Sequence, residues 1–334
     1  MRSKRLALFL VATFITTLVP HTTVAGPPAV NPTITLFVTG LQGASGSTIG
    51  PGGALYVTEG AAGRISRIDP RTGEVTTFAT GLPPSSPMIG IGGAMDIAFI
   101  GSTAYVLVTL VGPDVGGSDV VGIYRIDDGD SYTVIADIGA FSLAHPPDTE
   151  FFVPTGVQYA LDFYRGDFLV TDGHHNRVLR VTRDGEVTEF KAFGNTVPTG
   201  LAISGNKVYM AEAGPVPHLP ENGKVVTIDP RSRTVSTIAS GAPLLVDVEF
   251  GRGRTLYALS QGEFPEGGIA GAPALPNTGA IVAVNRDGTL TVVVDGLDVP
   301  TSLEFVRNAA FVVTLGGEVW KIDNAGAPPF GRAR

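Results

Sequence analysis

A chain of 334 residues, 43% hydrophobic and 16% charged, can bury a large core, and its apolar fraction excludes a solvated coil. It has no cysteine, which excludes a disulfide scaffold, thiol nucleophiles and Cys-based metal sites. With 23 basic against 31 acidic residues the net charge is −8, which argues against nucleic acid or an anionic membrane as partner.

The N-terminus reads as an address. Arg2, Lys4 and Arg5 precede the apolar stretch Leu6–Val19, and Thr23-Val24-Ala25 supplies the small side chains a signal peptidase requires. The stretch is shorter than the roughly 20 residues of a membrane span. The expected organisation is a signal peptide over 1–25, a Pro-rich lead-in over 26–33, one domain over 34–324 and a tail over 325–334. The expected location is extracellular or periplasmic, with no membrane span after cleavage.

Next along the chain, Ile34–Leu41 (ITLFVTGL) reads as a strand without a sheet of its own. From there four apolar segments, a to d, recur six times. Segment a is Met95–Phe99, Thr155–Tyr159, Thr199–Ile203, Val246–Phe250 and Thr301–Phe305, with a degenerate first copy around Ser47–Gly50. Segments b begin with Leu55–Glu59, segments c with Ile65–Asp69 and segments d with Val75–Leu82. The sixth unit stops after its segment c, Val319–Asp323, and the missing strand matches Ile34–Leu41 at the other end of the chain. Sixfold repetition with complementary ends predicts an all-β fold: a six-bladed β-propeller of four-stranded antiparallel blades, its ring closed by the N-terminal strand.

The turns sort the two faces. Short turns such as Asp69-Pro-Arg-Thr-Gly73 and Arg183-Asp-Gly185 join c to d, and Arg165-Gly-Asp167 and Ser204-Gly-Asn206 join a to b, all on one face. The long connections 83–94, 109–120, 139–153, 213–222 and 261–278 fall on the other, which is the expected working face. Recurrent aromatics on b (Tyr56, Tyr105, Tyr209, Tyr257, Phe311) read as packing between blades.

Several segments resemble the ScyD/ScyE family of exported bacterial six-bladed propellers, over 34 to about 323. They are Gly63–Pro70 followed by Val75–Leu82, the VPTG starts Val153–Gly156 and Val197–Gly200 with Val299–Ser302 close to them, and Ala136–Phe141. The starts Met95-Asp-Ile-Ala-Phe and Val246-Asp-Val-Glu-Phe also fit. The resemblance implies export and a propeller but no settled activity; NHL-repeat and gluconolactonase-like propellers share the blade grammar.

Five carboxylates are expected at the tunnel mouth. Asp96 and Asp247 open segments a of opposite blades, and Glu59, Asp172 and Glu212 close segments b. Converging oxygen ligands suit Ca²⁺ or another divalent cation, and like charges raise one another's pKa values. The alternative is that they cap blade edges on backbone N–H groups. His174 and His175 follow Asp172; His174 is a candidate ligand-binding residue, with an exposed loop histidine as the alternative. The long loops carry Asp114, Asp119, Asp148, Glu150, Glu221, Glu263 and Glu266, which suit a cationic or carbohydrate-like partner. The expected function is a monomeric, non-catalytic module binding a small molecule or protein through the long-loop face. A divalent-metal-dependent hydrolase or lactonase of the gluconolactonase-like type is the alternative, by analogy of fold.

Overall fold

The computed structural model describes residues 31–326. The expected signal peptide and the end of the tail lie outside them. The first strand, β1 (Thr33–Val38), is followed by blade 1: β2 (Ala44–Ile49), β3 (Leu55–Glu59), β4 (Arg64–Ile68) and β5 (Val75–Ala79). Blade 2 is β6 (Gly93–Ile100), β7 (Thr103–Thr109), β8 (Gly122–Asp128) and β9 (Ser131–Asp137), after which comes a short helix, α1 (Ile138–Ala144). Blade 3 is β10 (Gln158–Tyr164), β11 (Asp167–Asp172), β12 (Arg177–Val181) and β13 (Val187–Ala192). Blade 4 is β14 (Pro198–Ser204), β15 (Lys207–Glu212), β16 (Lys224–Ile228) and β17 (Val235–Ser240). Blade 5 is β18 (Leu245–Phe250), β19 (Leu256–Ser260), β20 (Gly279–Val284) and β21 (Leu290–Leu297). Blade 6 is β22 (Pro300–Val306), β23 (Ala309–Thr314) and β24 (Val319–Asp323), with β1 as its outer strand.

These six antiparallel sheets form the expected propeller. Ile34 lies opposite Ile322 and Leu36 opposite Trp320, so the start of the domain closes its end. The inner strands β2, β6, β10, β14, β18 and β22 pack in succession, and β22 returns to β2. The second strands read as continuous apolar runs because both their faces are covered; every residue of Leu55–Glu59 and of Leu256–Ser260 is buried. The core is six sandwiches rather than one centre. Tyr56 meets Phe99 of the next blade at 4.7 Å, Tyr257 meets Phe305 at 4.7 Å, and Phe311 closes the ring on Phe37 of β1 at 5.6 Å.

Three local features depart from the expected segments. The first strand of blade 3 is Gln158–Tyr164, further along than Thr155–Tyr159, because Gly156 turns the chain with φ +78° before the strand begins. The degenerate copy in blade 1 is a paired strand, with Ser47 opposite Val57. Connection 139–153 begins with α1, whose N-cap Asp137 accepts the N–H of Ala140 at 2.7 Å. None of the helices among the described residues is long and apolar enough to cross a membrane.

Candidate functional site

Each of the six inner strands loses register against its neighbour near its first residues, between Ala94 and Asp96 in blade 2 and between Leu245 and Asp247 in blade 5. Such a bulge re-aims the side chain beside it. Asp96 thereby turns along the ring, its two oxygens accepting the N–H of Ile97 at 2.8 Å and of Leu161 in blade 3 at 2.7 Å. Asp247 does the same half a ring away, toward Val248 and Leu303, both at 2.8 Å. The room for each comes from a missing side chain. A Cβ on Gly46 would lie 2.5 Å from the Asp96 carboxylate, and one on Gly200 2.6 Å from that of Asp247. Gly46 thus stands where blade 1 has no room for a side chain beside Asp96.

Asp96 and Asp247 line a cavity of about 1480 Å³ that runs from the long loops into the ring. Asp162, Glu249 and Glu304 line it too. In register they oppose Leu169, Tyr257 and Phe311, whereas Asp96 and Asp247 oppose Leu107 and Leu259, nearer the mouth. The wall therefore carries two tiers of carboxyls, an upper pair and a lower three. Asp162 accepts the N–H of Phe163 at 2.6 Å.

Burial within the ring disfavours the charged form of all five. It lifts Asp162 to about 6, Asp247 to about 7 and Glu249 to about 8, against the backbone hydrogen bonds each accepts. Asp96 and Glu304 stand well above the usual carboxylate range for the same reason, and for Glu304 the charges of Glu249, Asp247, Asp96 and Asp162 add to it.

The other three expected carboxylates are not on this wall. Glu59 lies across the rung from Arg64, Asp172 from Arg177 and Glu212 from Lys224, each acid ending a second strand and each base starting a third. Glu59 takes both nitrogens of the Arg64 fork at 2.7 Å, the Ser66 hydroxyl at 2.5 Å and the Gln42 N–H at 2.7 Å. Desolvation pushes its pKa up, but these bonds and the Arg64 charge outweigh it and leave the group below its ordinary value. Asp172 accepts from Arg177 Nε at 3.1 Å, and His175 Nδ1 lies 3.1 Å away beside the Arg177 Nη2 that donates to it. Arg177 also donates to the His145 carbonyl and Ser142 Oγ, tying α1 to the blade. Burial raises Glu212 to about 7 against the pull of Lys224. The five expected carboxylates thus have no common point. No group of three or more His, Asp or Glu among the described residues is arranged to hold a metal ion.

His174 lines the cavity and is partly buried. Its Nε2 accepts the N–H groups of Phe152 at 2.8 Å and Val153 at 3.0 Å, which fixes a neutral ring protonated on Nδ1. Burial, and then neighbouring His175, lower its pKa. His175 is 1% exposed and bonds the Val153 carbonyl, so the exposed-histidine alternative fails for it. The mouth differs from the acidic expectation. Its loops present Met88, Ile89, Phe151, Phe152, Val216 and Ile269, with Met88 77% and Ile269 78% exposed, beside Asp148 and Glu150. Asp114 is taken up inside the loops by the N–H and hydroxyl of Thr155.

Sequence reasoning missed Asp162, Glu249 and Glu304. The last two lie two residues beyond Asp247 and Ser302, on the same strand face by the period of two, so the signal was present. Asp162 was hidden by the early placement of its strand.

No family profile and no curated protein matches the sequence. Among solved structures, virginiamycin B lyase from Staphylococcus aureus aligns over 88% of this chain and 99% of its own, with a TM-score of 0.54 and 14% identity. A gluconolactonase from Xanthomonas campestris aligns over 91% and 93%, at 0.61 and 13%. The PQQ-bound aldose sugar dehydrogenase from Streptomyces coelicolor aligns over 89% and 99%, at 0.55 and 14%. Identities this low carry the fold alone. The class they share with this chain is the β-propeller.

Proposed function

We propose that this chain is an exported propeller of the ScyD/ScyE kind that binds a small molecule through its long-loop face. The observation that carries the reading is the single continuous cavity, apolar at its mouth and lined by carboxyls at depth. A concave apolar site with a few convergent polar groups is the usual form of a ligand pocket. Export is supported by the N-terminal layout of charges, apolar stretch and small residues. The test is a thermal-shift screen of a chemically diverse library against the wild type and against Phe152→Ser with Ile269→Asp. Both side chains are exposed at the mouth, so the variant folds normally. Compounds seated in the cavity raise the Tm of the wild type, and the variant loses roughly half or more of that shift. A library whose every hit is equally strong on the variant would place binding elsewhere and end the reading.

A second reading, a hydrolase or lactonase, is favoured by one feature: a neutral His174 shares the cavity with carboxyls that hold protons near neutral pH, the pairing that acid–base catalysis uses. Lactone turnover abolished in His174→Ala would support it.

A further inference from the structure

The carboxyls set inside the blades differ from the half-buried ones on the cavity wall in the partners they are given. Glu59 and Asp172 are each given an arginine at hydrogen-bond distance. The five on the cavity wall are given none, and no lysine or arginine lines the cavity among the described residues. Within that group the backbone gives Asp96 and Asp247 two N–H bonds each and gives Asp162 that of Phe163. Glu249 receives only the N–H of Phe250, at 2.9 Å on Oε1. Glu304 receives no hydrogen bond from the described residues; only burial and neighbouring charge act on it.

Glu249 and Glu304 stand on the same rung of adjacent blades, β18 packing on β22. When both are charged the two groups repel, and no cation offsets that repulsion as Arg64 does at Glu59. Toward the mouth the wall turns apolar, through Leu110, Val157, Val197, Leu244, Val246 and Leu315.

We propose that the channel is a receptor for a primary ammonium group on an apolar body, the ammonium seated between Glu249 and Glu304. This rests on the cavity being a small-molecule site and names the class of ligand it takes. An ammonium brings one positive charge and three N–H donors. The second oxygen of Glu249 and both oxygens of Glu304 accept nothing from the described residues and match that number. The apolar body lies along the wall toward Met88, Phe152 and Ile269. The cation favours the carboxylate forms, so protons leave the site as it binds. The other titratable groups facing the site are Asp96, Asp162 and Asp247, with Tyr159, His174, His218, Asp148 and Glu150 toward the mouth. An alkylammonium stays charged throughout the range in which these groups titrate.

The experiment is calorimetric titration of the purified protein with octylammonium, beside octanol and octanoate as chains of similar length. Octylammonium is expected to bind about tenfold or more tighter than octanol, and octanoate weakest. Its affinity rises about tenfold or more between pH 6 and pH 8, with net proton release measured across buffers of different ionisation heat. Glu304→Gln and Glu249→Gln each lose about tenfold while keeping wild-type circular dichroism, since amides remove the unpaired charge and keep the shape. Octanol binding as tightly as octylammonium, or amide variants binding octylammonium unchanged, overturns the ammonium receptor and leaves the cavity reading intact. Absence of binding by all the probes also overturns it, and the library screen then decides the cavity reading on its own.

Discussion

Glu59 and Glu304 show how one side-chain type serves two purposes in a blade. Glu59 ends its strand across from Arg64 and receives four hydrogen bonds, three of which close the β3–β4 hairpin. Replacing it with Gln keeps the shape but strands the Arg64 charge, which is 30% exposed and so partly rehydrated. We expect Glu59→Gln to cost about 2 kcal/mol, below the full penalty for breaking a buried pair, measured by urea denaturation at neutral pH. A loss near zero would mean that the pair contributes nothing to holding blade 1. Half of this arrangement is legible in the sequence: Glu59/Arg64 and Asp172/Arg177 share a spacing that a short hairpin places face to face. The expectation of a shared metal took the acids and passed over the bases. The lower tier was less legible, because strand order does not reveal which acids the fold leaves without a partner.

At the scale of elements, the repeat makes the six sheets and the closing strand readable in the sequence, since each blade repeats the same apolar alternation. The inner-strand bulges were not readable. They add a residue without changing composition, and they decide that Asp96 and Asp247 reach sideways to the next blade. Helix α1 was masked because Tyr132–Ile138 continues the strand pattern up to the capping Asp137. The ring depends on β1, which supplies the outer strand of blade 6 and places Phe37 against Phe311. A chain beginning after Val38 leaves β24 as an open edge, with its hydrogen bonds to β1 lost. It is expected to melt about 10 °C or more below the full domain and to aggregate on heating, by scanning calorimetry and light scattering. Melting within a degree or two of the full domain would mean that the other five blades hold the ring without closure.

For the whole molecule, six sandwiches surrounding a channel let carboxyls be deeply placed yet reachable by solvent, and that sets the pH response. Asp247 and Glu212 at about 7 and Glu249 at about 8, with Asp96 and Glu304 well above their ordinary range, hold protons in the folded state that the unfolded chain releases near pH 4. The folded state thus binds more protons through neutral pH, and stability falls as pH rises through these values. His174 and His218, lowered chiefly by burial, act in the opposite sense, but only below about pH 6.5. The carboxylates held low, Glu59, Asp69, Asp127, Asp229 and Asp287, cost stability only on acidification toward their own range. Between about pH 6.5 and 8.5 the raised carboxyls therefore act alone, and the Tm is expected to fall by roughly 2–6 °C. Glu249→Gln with Glu304→Gln should remove a substantial part of that fall, with Asp96 among the groups that keep the rest, and make the variant the more stable protein at the alkaline end. A Tm that holds or rises over this interval in the wild type would show that the channel carboxyls are already ionised at neutral pH, with their charge met by solvent.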